Sequence, residues 1–296
     1  MRLLRLLMIP FVAATAGCEI QEVVIAQPED IVVAEVVLAA GEAVQTAWLH
    51  HTRVSDPNAD PRVRDADIVV QAEDGRVLRF DEAADTMCYV RRRDAGSRVL
   101  GTCYVAIGAS SFVQPGGTYQ LAIETADGRQ LAGTTTVPGT FAIVQPATGT
   151  ATIRANTQYD VVWTQSANTW VYVIDGLFHG LRSALSPLEV PHEPLLLTGL
   201  SISGTDTTVA VPAEIGIFDR FDSDLTAVLV ELQKGLPANV DAEITVSAAD
   251  RNYVNWVRAG SFNPSGQVRV PSIHGERGTG VFGSVVQRSV VLQARD

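Results

Sequence analysis

Short apolar runs separated by polar turns fill most of the chain, and many of them alternate with a period of two. Ile31–Leu38 is β-branched and nearly unbroken, which predicts a buried strand. The polar, proline-bearing stretch "LHHTRVSDPNADPRVRDA" beyond it reads as a surface loop. Ile68–Ala72 and Arg76–Phe80 then flank Glu73-Asp74-Gly75, and Asp-Gly between two such runs is a tight-turn signal, so this segment reads as a hairpin. The same unit returns over 117–137. There Tyr119, Leu121 and Ile123 alternate with Gln120, Ala122 and Glu124, and Asp127-Gly128 makes the turn. "DGRVL" and "DGRQL" are one hairpin solution used twice, too short to define a solenoid.

The stretch "VPGTFAIVQPATGTA" is rich in Pro, Gly and Thr and places a domain boundary near Pro146. Beyond it, "YDVVWTQSANTWVYVIDG" predicts two strands, with Trp170, Tyr172 and Ile174 on one face and Trp163 in the core. Residues 177–215 mix Pro, Gly and brief apolar runs, as short strands and loops do, and "LTAVLVELQK" fits either strand or helix. One helix has clearer support. Ser247 stands three residues before Asp250, close to a capping box, and Ala249, Tyr253, Trp256 and Val257 share a face before Gly260. "SVVQRSVVLQA" predicts a final strand. The expected class is therefore mainly β, in two β-rich domains. Residues 18–145 would form an immunoglobulin-like or transthyretin-like β-sandwich. Residues 146–296 would form a second sandwich-like domain with one short helix.

The first residues, "MRLLRLLMIPFVAATAGC", do not belong to either unit. Arg2 and Arg5 precede an apolar run from Leu6 to Ala14 and then small residues, the pattern of an export signal over 1–17. The run is far shorter than the roughly 20 residues a membrane-crossing helix needs. Its end, "TAGC", resembles a bacterial lipobox, with Thr15 in place of the usual leucine-like residue. The resemblance implies that Cys18 carries diacylglycerol and becomes the first residue of the mature chain. Two or more acyl chains give stable anchoring, whereas one gives marginal binding. Glu19, rather than aspartate, stands after the cysteine, which favours the outer membrane in such lipoproteins. The alternative is a soluble secreted chain cleaved near Ala16.

The 296 residues are 46% hydrophobic and only 19% charged, enough for a packed core. A net charge of −11 repels polyanions and excludes nucleic acid as a natural partner. Besides Cys18 the only cysteines are Cys88 and Cys103, at matching places in two "CYV" segments around a polar loop. Antiparallel pairing of those segments in an oxidising compartment would make a disulfide; two buried free thiols are the alternative.

Candidate chemistry is sparse. "GTGVFGSV" from Gly278 fits G-x-G-x-x-G, but a dinucleotide fingerprint needs a strand before it and a helix after it, and the residues after Gly283 are strand-like. The stretch therefore reads as a glycine turn feeding the last strand. Five histidines (His50, His51, His179, His192 and His274) are scattered without zinc-ligand spacing. Asp219, Asp222 and Asp224 in "DRFDSD" form a weak calcium candidate lacking the rest of a calcium loop. "GLSIS" approaches the G-x-S-x-G elbow but has Ser203 where the last glycine belongs. No cofactor is expected, and no catalytic residue is assigned.

The segment "NYVNWVRAG…FNPSGQVRVPSIHGERGTGVFGSV" resembles the closing part of an uncharacterised family of Gram-negative envelope lipoproteins, a domain of unknown function. The matching positions are Tyr253, Trp256, Phe262, Gly278, Gly280, Phe282 and Gly283. Gly117, Tyr119 and the Val137-Pro138 step resemble that family's N-terminal sandwich. Ser272 stands where the family often has Asn. The resemblance implies an outer-membrane lipoprotein, considered alongside TonB-dependent transporters, and carries over no catalytic residue. The leading expectation is a lipid-anchored, non-catalytic envelope protein that binds a partner or ligand as an accessory to such a transporter. An envelope hydrolase acting on glycans or peptides, and a structural or adhesive surface module, are the alternatives.

Overall fold

The computed structural model describes residues 30–52, 60–88, 101–216, 224–262 and 270–296. These residues form sixteen strands and three short helices. The first seven strands are β1 (Val32–Ala39), β2 (Val44–His51), β3 (Asp67–Ala72), β4 (Val77–Ala83), β5 (Thr102–Ile107), β6 (Thr118–Glu124) and β7 (Gln130–Thr136). Next come β8 (Ile143–Gln145), β9 (Thr150–Arg154), β10 (Tyr159–Trp163), β11 (Val171–His179), α1 (Leu181–Ala184), β12 (Leu195–Leu200) and β13 (Thr208–Val211). The chain closes with α2 (Thr226–Leu232), β14 (Asp241–Ala249), α3 (Arg251–Phe262), β15 (Ile273–Gly275) and β16 (Gly278–Arg295).

The mainly β character is as expected, and both Asp-Gly hairpins form: β3 pairs with β4, and β6 with β7. Gly75 and Gly128 take the positive φ that those turns require. The expected pair of open-edged sheets in the first unit is not what these strands build. They join in the order β1-β2-β5-β4-β3-β6-β7-β15-β16, and β16 returns to pair in parallel with β1, closing a nine-stranded barrel. The physical reason is the last strand. Val32 through Ala39 find their ladder on Gly278 through Val285, so β1 has no free edge.

β16 runs for 18 residues and serves two sheets. Its first half completes the barrel. Its second half pairs antiparallel with β14, which continues into β11 and β12, while β9 lies parallel alongside. Val285 is the pivot, opposite Ala39 of β1 and Ala249 of β14. A separate sheet, β13-β10-β8, faces the extension. Trp163 of β10 meets Tyr172 of β11 edge-on at 5.1 Å between ring centres, and Phe141 meets the same tyrosine at 5.8 Å. Trp163 thus sits in the core, as the sequence suggests.

The interior is continuous. Leu38, Leu49, Ile68, Tyr119, Leu131 and Phe282 fill the barrel, and Tyr172, Ile174, Phe178 and Leu181 fill the second half. The buried tyrosines keep their hydroxyls satisfied. Tyr104 donates to the Val63 carbonyl at 2.8 Å, and Tyr119 donates to the Phe112 carbonyl at 2.9 Å. Helix α3 covers the opposite face of the extension, where Val254 and Val257 pack on Val171, Val173 and Val285.

The glycine stretch is neither a phosphate loop nor a turn but the barrel-closing half of β16. At Gly280, φ is +142°, and an added Cβ would lie 1.9 Å from the Ala34 carbonyl oxygen. At Gly283 it would lie 2.8 Å from the Tyr253 amide nitrogen. These glycines let β1 and α3 approach the strand backbone. The helix also begins later than the sequence suggests. Ser247 and Ala249 belong to β14, whose ladders to β11 and β16 run through Ala249, so strand pairing takes the residues assigned to the cap. "LTAVLVELQK" resolves as α2.

Candidate functional site

The barrel is least complete between β7 and β16. The three-residue β15 bridges them at one end only, pairing Ile273–Gly275 with both. At the other end side chains do the bridging, and most come from the start of α3. The side-chain amide of Asn252 (Nδ2) donates to the Thr134 carbonyl at 3.0 Å and to the Phe282 carbonyl at 2.9 Å. Ser272 Oγ accepts the Phe282 amide at 2.8 Å.

Asp250 is the centre of this seam. It precedes α3 and caps it by accepting the Tyr253 amide on Oδ1 at 2.8 Å. The same oxygen accepts the Ser284 amide at 3.1 Å, and Oδ2 accepts the Thr135 hydroxyl at 2.7 Å. Only 8% of the residue is exposed. Burial raises its pKa, against the opposing hydrogen bonds from Thr135 and from the Tyr253, Ser284 and Asn252 amides. A buried carboxylate with both oxygens accepting is a structural clasp. The sequence pattern puts Asp250 inside the helix rather than at its cap, although Asp ahead of a helical apolar pattern is itself a cap signal.

An open cleft of about 280 Å³ lies over the seam, lined by Thr134–Thr136, Asn168, Trp170 and residues 250–252. A neighbouring hollow of about 440 Å³, lined by 165–169, Gly204 and Thr205, shares Asn168 with it. The alternation of the sequence puts Trp170 on one face with Tyr172 and Ile174. Instead β11 begins at Val171, and Trp170 is 50% exposed at the mouth of the cleft. Arg251 lies over its ring, 5.2 Å from the centre. The preceding Asn168, at φ +59°, makes the turn that brings the indole out. "NT" before the tryptophan is the signal that the strand has not yet begun.

A second polar cluster sits where the described chain starts. Arg129 Nη2 donates to Asp30 Oδ2 at 2.6 Å, and His51 Nδ1 lies 2.7 Å from Asp30 Oδ1. Burial pushes the Asp30 carboxyl up, but the hydrogen bonds from Arg129 and His51 outweigh it and hold the group below its ordinary value of 3.8. Neighbouring His50, half-buried, is held low by desolvation.

The remaining sequence candidates lie apart from the seam. Cys88 and Cys103 are joined, with 5.8 Å between their Cα atoms. Their setting differs from the expected hairpin. Cys103 lies on β5, whereas Cys88 comes after a single 3₁₀ turn, Asp85–Met87, that folds the chain after β4 back beside Trp48. Cys18, Asp219 and Asp222 lie outside the described residues; Asp224 is exposed just before α2. Among the described residues no three His, Cys, Asp or Glu side chains gather as a metal site. His179, His192 and His274 are separate and exposed. In "GLSIS", the Ser201 hydroxyl accepts the Tyr172 amide at 2.8 Å and donates to the Ser203 carbonyl at 2.9 Å, so it braces the strand. Among the described residues no helix is long and apolar enough to cross a membrane, which says nothing of strands. No protein-family model matches the chain, and no curated protein matches it in sequence.

Proposed function

We propose that the protein is a lipid-anchored, non-catalytic binding protein of the bacterial cell envelope, held at the outer membrane through Cys18. The observation that carries this reading is the N-terminal sequence, where a short charged-then-apolar segment ends in "TAGC". The fold is compatible with it. A disulfide suits an exported chain, and the open cleft at the β7–β16 seam suits recognition of a ligand from solution. In this reading the barrel and the β14-β11-β12 extension form two modules clamped by a shared strand. The resembled lipoprotein family makes a TonB-dependent transporter the natural partner to test.

Replacing Cys18 with Ser and fractionating the cells tests the anchor. The wild type partitions with outer membranes and takes up an alkyne-tagged fatty acid. The variant loses the label and either accumulates unprocessed or leaves the membrane. A Cys18→Ser protein that stays processed and membrane-bound, beside an unlabelled wild type, overturns the reading.

A further inference from the structure

We infer that the cleft over the β7–β16 seam binds a neutral oligosaccharide, with Trp170 as its stacking platform. This deepens the binding-protein reading above and rests on it. Half of the Trp170 surface remains open to solvent even with Arg251 over the ring. An exposed indole fixed at the mouth of a cleft offers a flat apolar face to the C–H groups of a pyranose ring, while its surroundings hydrogen-bond the hydroxyls. Those surroundings are amides and hydroxyls: Asn168 and Thr136 in the cleft, Gln165 and Thr205 in the adjoining hollow.

Charge argues for a neutral ligand. Among the described residues lining the cleft, the acid is Asp250, and both its oxygens are committed to Thr135, Tyr253 and Ser284. The base is Arg251, which lies against the indole. A strongly anionic ligand would also meet a chain of net charge −11. Asn168 lines both hollows, so a linear chain of several sugars that fills the cleft would reach the adjoining hollow past this side chain.

The platform stands on rigid ground. Trp170 donates its backbone amide to the Ala249 carbonyl at 2.9 Å, next to the clasp residue Asp250. Gly204 approaches the Thr169 carbonyl so closely that an added Cβ would lie 2.3 Å away, so its turn packs tightly on the residue just before Trp170. Such preorganisation lowers the ordering cost of binding.

The test uses full-length mature protein in detergent, titrated calorimetrically with cellohexaose, maltohexaose and fully N-acetylated chitohexaose, and with inorganic phosphate as a charged control. At least one neutral hexasaccharide binds, shifting indole emission. Trp170→Ala weakens it about tenfold or more, Trp170→Phe keeps most of the affinity but loses the emission shift, and Ile107→Ala, exposed on β5 and lining neither hollow, changes nothing. Unchanged melting temperatures show the variants folded. No neutral hexasaccharide binding up to about 10 mM, or equal binding by Trp170→Ala, overturns the inference. Phosphate binding that displaces the sugars does so too. Because Cys18 fractionation reads the anchor independently, a failed titration beside a labelled, outer-membrane wild type removes the ligand class and leaves the anchor standing.

Discussion

Asp250 and Ser284 hold each other twice: the Asp250 amide donates to the Ser284 carbonyl at 3.1 Å, and the Ser284 amide donates back to the Asp250 carboxylate at 3.1 Å. The pair extends the β14–β16 ladder by one step and then hands the same carboxylate to helix α3. Asp250→Ala removes the cap and leaves the Ser284 amide and the Thr135 hydroxyl without this acceptor. The expected loss is about 3 kcal/mol in urea unfolding.

The pH dependence of the same residue has a definite sign. Burial raises the folded-state pKa of Asp250 above 3.8, so the folded chain holds the proton more tightly than the unfolded one. That contribution is fully present below 3.8 and is lost as pH rises through the folded value. The stability of wild type relative to Asp250→Asn, which does not titrate, should therefore fall from pH 4 to pH 7. A wild type that gains on the variant over this range contradicts the burial argument.

Asp30 behaves oppositely. Its folded pKa is depressed, so its stabilising effect exists above 3.8 and fades as pH falls through the folded value. Asp30→Asn should destabilise most at neutral pH and least in strong acid. Denaturant melts of both proteins at several pH values check this.

The Cys88–Cys103 bond closes a separation of 15 residues. Cys88→Ala/Cys103→Ala, or reduction, should lower stability by about 3 kcal/mol, through the freer unfolded chain. Calorimetry with and without reductant measures it.

Gly280→Ala places a methyl group against the Ala34 carbonyl at a positive φ, and should cost more than about 4 kcal/mol or prevent folding. Gly149→Ala, where nothing lies within 4 Å of the added carbon, serves as the control and should be close to neutral. Hydrogen exchange should show β1 and β16 losing protection together.

Legibility in the sequence was local. Asp74-Gly75 and Asp127-Gly128 specify their hairpins within a few residues, and Ile31–Leu38 announces its strand by composition. Barrel closure was not legible, because it depends on Val32 meeting Gly278 across almost the whole chain. The spacing of Gly278, Gly280 and Gly283 imitates a nucleotide loop for a related reason. Close backbone approach selects glycine whether the neighbour is a phosphate or the Ala34 carbonyl. The cleft was hidden too, since Thr136, Trp170 and Asn252 are brought together through the β7–β15, β15–β16, β14–β16 and β11–β14 ladders. Ser247 misleads because a strand ending in small residues looks like a helix beginning.

The intact mass of the protein extracted from envelopes tests the lipid anchor most directly. The predicted species begins at Cys18 and carries a diacylglycerol thioether on that sulfur. A polypeptide that retains residues 1–17, or one with an unmodified Cys18 thiol, contradicts it.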